Sequence, residues 1–204
     1  MRSGASQRIS DAVGKGLADL NKLKYEDSLV ERLKAADKNA AAELVDKYYR
    51  QIYVFMMRYG HSQSLSEDLT QECFIKAWQN IHQLKSPKAL KSWLYRIALN
   101  VSRQYLRKNK KRFENETQDS EILKQIEAGK DDSQDSDQLK ILHQAVQKLS
   151  EKLKQAIILH YFQHLTIAQA ARAAGVRKGT MKSRLSRGLK VLEKNLNKNN
   201  GELK

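Results

Sequence analysis

Apolar residues recur along this chain at every third or fourth position, and almost nowhere at every second. Between Ser28 and Tyr59 they fall at Leu29, Leu33, Ala36, Ala40, Leu44, Tyr48, Ile52 and Phe55. Asp37-Lys-Asn39 interrupts the series and predicts two helices rather than one. Ser64-Leu-Ser-Glu67 has the reciprocal capping pattern. It opens a helix running to about Ile81, with Leu65, Leu69, Cys73 and Ala77 as its inner stripe. Ser86-Pro87 starts another, since proline suits a first helical turn. Its inner face is Leu90, Leu94, Ile97, Ala98, Val101 and Tyr105. Further on, Leu139, Leu142, Val146 and Leu149 form a stripe, which Leu153, Ile157, Ile158 and Tyr161 continue after a start at Ser150. Thr166-Ile-Ala-Gln169 is a second capping pattern. Gly175 closes that short helix, and a final helix begins near Lys178.

One proline and nine glycines in 204 residues leave few interruptions. The expected fold class is therefore all-α, with two small helical domains at residues 27–112 and 138–204. A weakly ordered extension precedes them at 1–26. Between them the composition changes: Glu114 to Asp137 holds nine acids against Lys124 and Lys130. Few hydrophobics and many like charges predict a flexible acidic linker over 113–137. Ile122, Leu123 and Ile126 could form a transient helical turn in it.

The chain as a whole is nonetheless strongly basic, with 38 Lys and Arg against 23 Asp and Glu. A net charge of +15 favours nucleic acid or an anionic membrane as partner. No apolar run approaches the ~18–20 residues that span a bilayer, so no membrane insertion is expected. The start of the chain lacks an apolar signal core, and a cytoplasmic location is expected. Cys73 is the only cysteine, which excludes an intramolecular disulfide and a thiolate-rich metal site. His160 and His164 have a metal-capable spacing, but no Glu accompanies them, and ordinary helix packing explains them. Neither a metal nor another cofactor is expected.

The end of the chain carries the sharpest signal. Residues 165–187 read as two short helices joined by a tight turn: small Ala171 allows close approach, and Gly175 supplies a positive φ. The second helix bears Arg177, Lys178, Lys182, Arg184, Arg187, Lys190 and Lys194 against Glu193. Such a helix suits the DNA major groove. Its first turn, with Gly179 and Thr180, can offer N–H groups to a phosphate. Lys178, Lys182 and Arg184 can reach base edges, while Val176, Met181, Leu185, Leu189 and Leu192 should face the core. A plain solvated basic face is the bland alternative.

A second cationic stretch runs from Lys85 to Arg112, with ten basic residues and no acid. Trp93, Tyr95 and Tyr105 are interleaved with it. Cations with aromatic platforms suit single-stranded or melted nucleic acid, although Trp93 and Tyr105 can equally be core residues. Upstream of it, Asp68, Gln71, Glu72, Ile75 and Gln79 surround an apolar spot near Phe74 and Trp78. A mixed acidic and apolar face on a basic protein suits a partner helix; on spacing alone it also reads as a solvated helix face.

Taken in order, these segments resemble sigma factors of bacterial RNA polymerase, in the small extracytoplasmic-function group. Asp68–Trp78 resembles the family's core-binding region 2.2. Trp93-Leu-Tyr-Arg-Ile-Ala-Leu-Asn100 with Leu106-Arg107 is similar to region 2.3–2.4. Gly179-Thr-Met-Lys-Ser-Arg-Leu185 with Arg187 resembles the recognition helix of region 4.2. The resemblance implies core polymerase docking through Asp68, Gln71, Glu72, Ile75 and Trp78, with Gln79 at the edge. It implies reading and opening of the promoter −10 element through Lys85, Lys88, Lys91, Trp93, Tyr95, Arg96, Asn100, Arg103 and Arg107. It implies reading of the −35 duplex through Thr166, Arg177, Lys178, Thr180, Lys182, Ser183, Arg184 and Arg187. The protein would then be a promoter-specificity factor and not an enzyme, monomeric when free, with an anti-sigma partner left open. This chain departs from the family's usual pattern at Gln104, where an acid is common, at Leu149-Ser150 for Leu-Pro, and at Gln169-Ala-Ala171 for Glu-Ile-Ala. A dimeric helix-turn-helix regulator, which would bind palindromic half-sites, is the competing expectation.

Overall fold

The computed structural model describes residues 24–113 and 135–201. Nearly all of the expected N-terminal extension and of the acidic linker, including Ile122, Leu123 and Ile126, lies outside them. Among the described residues the secondary structure is helical throughout. Helix α1 (24–34) begins inside the expected extension. It is followed by α2 (Lys38–Tyr59), α3 (Gln63–Asn80) and α4 (Leu90–Phe113). The second unit comprises α5 (Asp135–Gln147), α6 (Glu151–Ile157), α7 (Ile167–Ala174) and α8 (Lys178–Gly201).

The break between α1 and α2 has a local cause. Ala36 takes a left-handed φ of +60°, and Asp37 then caps α2 by accepting from the Asn39 N–H at 2.8 Å. Arg32 joins the corner by pairing with Asp37 and Glu43, each at 2.9 Å. Gly60 ends α2 at φ +105°, with its N–H directed to Met56 and Met57 carbonyls. The cap of α3 differs from the sequence expectation. Ser62, not Ser64, is the N-cap and accepts from the Leu65 N–H at 3.4 Å. Two serines stand two residues apart; the turn at Gly60 puts the first of them at the entry. Pro87 opens a short 3-10 turn (Pro87–Ala89), and α4 proper starts at Leu90.

Helices α2, α3 and α4 enclose the first core. Leu44, Ile52, Phe55, Leu69, Cys73, Ala77, Leu90, Leu94, Ala98 and Val101 are all buried in it, and α1 adds Leu29, Val30 and Leu33. Cys73 is a core residue whose thiol burial pushes up to about 12. In the second unit α6 crosses α8 closely at Gly188, where a Cβ would lie 3.0 Å from Ile157 Cγ1. Two expected core positions turn outward there: Tyr161 is 45% exposed and Leu189 44%. Tyr161 sits in a π-type turn (Ile158–Phe162) that rotates the end of α6 away from its α-helical phase.

The two units do not stand apart. Helix α4 lies along α7, and α2 reaches the π-type turn, so that one apolar core runs through both. At their junction α5 approaches Gly60 so closely that a Cβ there would meet Gln147 Oε1 at 2.7 Å.

His61 lies buried beside this junction, with Nε2 2.7 Å from Ser102 Oγ. Burial, helped by the Lys154 charge, pushes it down to about 4. An unfolded histidine titrates near ~6.5, so between these values the unfolded chain binds more protons. The stability that neutral His61 provides is complete above about pH 6.5 and erodes as the pH falls towards 4; it amounts to roughly 3 kcal/mol. Urea unfolding at about pH 7 and about pH 5 should show about 2 kcal/mol of it, the rest being lost below about pH 5. In His61→Gln the loss should shrink by the His61 share, leaving that of His143, which burial also lowers.

Candidate nucleic-acid interface

Three surfaces emerge on these helices. The first is the end of the second unit. Thr166 starts α7 with both arms of a capping box: its hydroxyl accepts from the Gln169 N–H at 3.2 Å, and Gln169 Oε1 accepts from the Thr166 N–H at 2.9 Å. Gly175 then turns at φ +69° with open space around its α-carbon. Met181 and Leu185 anchor α8 from below. Arg177, Lys178, Thr180, Lys182, Ser183 and Arg187 are consequently exposed together, and Arg184 is half-buried at the edge. Two of these side chains touch their own helix: Ser183 Oγ donates to the Gly179 carbonyl at 3.1 Å, and Arg187 Nε to the Ser183 carbonyl at 3.3 Å.

The second surface is the outer face of α3. Asp68, Gln71, Ile75 and Gln79 are exposed one helical turn apart, with Ile75 at 57%. Glu72 is half-buried and pairs with Lys76 at 2.8 Å. Trp78 is partly buried against the core, while Phe74 is buried outright. The apolar spot expected around Phe74 therefore centres on Ile75. Phe74 instead underlies a ring stack, with Tyr49 at 6.3 Å and Tyr53 a further 6.4 Å along.

The third surface is α4, and here the structure divides the expected residues. Arg96, Asn100 and Arg107 are exposed on one flank, with Lys85 and Lys88 exposed in the loop before it. Gln104 shares that flank and accepts from Lys76 Nζ at 2.9 Å; a neutral amide there leaves the Lys76 charge less compensated than an acid would. The other flank is covered by the second unit. Tyr95 is 1% exposed and donates its hydroxyl to Gln163 Oε1 at 2.7 Å, so the expected stacking platform is a core residue in this arrangement. Arg103 is half-buried and donates to Gln155 Oε1 at 2.7 Å. Lys91 Nζ lies 3.4 Å from the Gln163 carbonyl. Trp93 and Tyr105 are partly buried against the core.

Arg58, Gln155 and Gln163 went unnoticed in the sequence. Arg58 donates to the Phe162 carbonyl at 2.9 Å, and Gln155 donates from Nε2 to Tyr59 and Glu151 at 3.0 Å each. Their partners are mostly fifty or more residues away, so no local pattern announces them. His160 and His164 do not converge on a ligand: His160 Nδ1 lies 2.7 Å from the Leu165 carbonyl, and His164 is exposed with φ +52°. No described helix is long and apolar enough to cross a membrane.

Comparison with known proteins decides what these surfaces belong to. Sigma-70 region 2 matches residues 44–112, and Sigma-70 region 4 matches residues 139–192. The RNA polymerase sigma-H factor of Pseudomonas aeruginosa is 31% identical over 180 residues, covering 84% of this chain and 93% of that protein. The chain belongs to the sigma-70 family. Within it, the relatives include the ECF RNA polymerase sigma-E factor of Haemophilus influenzae, 30% identical over 177 residues, which cover 82% of this chain and 93% of the relative. This sigma factor is thus a transcription-initiation protein that directs RNA polymerase to promoters. Its fold recurs in CnrH, solved with the cytosolic domain of CnrY, with a TM-score of 0.63 at 17% identity over 83% of this chain and 95% of that one. It recurs also in RpoE from Bartonella quintana, solved with the anti-sigma factor NepR, with a TM-score of 0.60 at 23% identity over 76% and 96%.

The capping box gives the sigma factor's helix-turn-helix a testable dependence. Thr166→Ala removes the cap hydroxyl and should lower stability by about 1 kcal/mol, read by urea unfolding. Thr166→Ser keeps the oxygen and should recover most of that loss.

Proposed function

We propose that this sigma factor grips a promoter at two places and holds polymerase at a third. The carrying observation is the grouping of Arg177, Lys178, Thr180, Lys182 and Arg187 on the exposed first turns of α8, presented by a capped helix-turn-helix. Bidentate contacts from such a helix discriminate between bases by ~1–3 kcal/mol each. In this reading the α8 group, with Thr166, Ser183 and Arg184, reads the −35 duplex. Lys85, Lys88, Arg96, Asn100 and Arg107 receive the −10 strand, together with Trp93 at their edge, and with Lys91 and Arg103 once those are uncovered. The outer face of α3, from Asp68 to Gln79, docks on core polymerase.

Opening DNA costs ~1.4 kcal/mol per base-pair step on average. Several steps therefore need contacts from the whole holoenzyme, which agrees with a factor that performs no chemistry of its own. We place that work in the cytoplasm, where the chromosome and polymerase are. An anti-sigma partner belongs to the same proposal, prompted by the complex in which the Bartonella quintana neighbour was solved. The matches to region 2 and region 4, in that order, do not favour a dimeric regulator.

The direct test is in vitro transcription by purified core polymerase with and without this chain; promoter-dependent transcripts should appear only with it. Asp68→Ala combined with Gln71→Ala should weaken co-purification of polymerase without changing the unfolding transition; full retention of polymerase would exclude the α3 face. Arg184→Ala should reduce transcription from promoters with a −35 element more than from extended −10 promoters. Equal loss on both would remove Arg184 from base reading.

A further inference from the structure

Three side chains bridge the outer face of α3 and the exposed strip of α4. Lys76 leaves α3 and reaches across the packed contact between these helices, where its Nζ donates to Gln104 Oε1 at 2.9 Å. Gln104 stands between Asn100 and Arg107 on the strip, one helical turn from each, and all three are exposed. The Lys76 ammonium therefore lies on the same surface as Asn100 and Arg107, although it comes from another helix. Its second contact is Glu72, one turn back on α3, at 2.8 Å. Both members of this pair meet water, with 34% and 45% of their side chains exposed. An exposed i, i+4 pair of this kind holds its members weakly and is screened by salt. The Gln104 oxygen is neutral. A carboxylate in its place would hold Lys76 by charge and repel a phosphate. Lys76 is thus a cation at the edge of the strip with one weakly held anionic partner among the described residues.

We propose that Lys76 is a further phosphate-binding residue of the −10 strand surface, and that Glu72 and the strand compete for it. An ammonium has three donors, so Lys76 can keep Gln104 Oε1 and take a phosphate oxygen at the same time. Gln104 is then a positioning residue: it holds the cation over the strip without neutralising it. The phosphate displaces the Glu72 carboxylate as the charged partner. Glu72 itself belongs to the α3 face assigned to polymerase. A basic group of that partner that takes up Glu72 leaves the whole Lys76 charge to the strand. The two bindings then strengthen each other by the same factor. The inference rests on the assignment of the α4 strip to the −10 strand and adds to it a residue from α3.

The test uses the full chain without polymerase and a mixed-sequence single-stranded oligodeoxynucleotide, with affinity measured over a series of salt concentrations. Lys76→Gln removes one phosphate contact. For a single strand this should lower the slope of log affinity against log salt by about 0.7, which is about fivefold in affinity at about 0.1 M salt. Lys76→Arg should keep both. Lys38→Gln removes an exposed charge at the start of α2, outside the three surfaces, and gives the effect of net charge alone. Glu72→Gln should tighten binding in the parent chain, and most of that gain should vanish in combination with Lys76→Gln. A Lys76→Gln chain that binds like Lys38→Gln would overturn the proposal. So would an equal gain from Glu72→Gln in both backgrounds. Arg107→Gln separates the two levels of the argument. If it also binds like Lys38→Gln, the assignment of the strip to the −10 strand fails; if it weakens binding where Lys76→Gln does not, the role of Lys76 fails alone.

Discussion

Helix α4 has to satisfy two neighbours at once, and the rest of the structure follows from that. Its apolar stripe, Leu90, Leu94, Ala98 and Val101, closes the first core. Its flank at Ser92, Tyr95 and Arg103 receives the second unit. What remains for solvent is a narrow strip bearing Arg96, Asn100, Gln104 and Arg107. An apolar stripe takes about 100° of a helix's circumference, so two neighbours and solvent can share one helix only if each takes a limited arc. The apolar contact is constant. The polar contact is made largely of cations against amides and carbonyls.

The same division accounts for what the sequence disclosed. Period and caps are local, and they showed through. The interruption at Asp37, the box at Thr166 and the left-handed turn at Gly175 each lie within a few residues of the groups that produce them. The stripes of α3 and α4 were legible for a related reason, since burial on one side of a helix imposes its period on the sequence. Ser62 and Ser64 show the limit of that logic. Either serine could cap α3, and the turn at Gly60, which closes α2, leaves the first at its start.

The covered flank was not legible. Tyr95 stands among cations in sequence, and that neighbourhood reads as an aromatic platform. Its ring packs edge-on against Phe55, and its hydroxyl reaches Gln163, sixty-eight residues away. Tyr161 and Leu189 failed in the opposite direction: both continue an apolar stripe, but the π-type turn shifts the first, and the crossing at Gly188 is too close to include the second. Of the candidate site, the α8 group and the α3 face were foreseeable because exposed charge is written in the local pattern. The partition of α4 was not, because it depends on how two units meet.

The glycine at that crossing has mechanical meaning. Helix α8 is continuous from its basic first turn through Gly201, a stiff rod of roughly 36 Å at 1.5 Å per residue. At Gly188 it meets Ile157 with a bare α-carbon, while Met181, Leu185 and Leu192 are buried along the same helix. A side chain placed there would have to displace Ile157 or the helix itself, and a displaced rod carries its cations with it. The placement of the cation-bearing turns on the second unit thus depends in part on one missing methyl group, ten residues from the start of the rod.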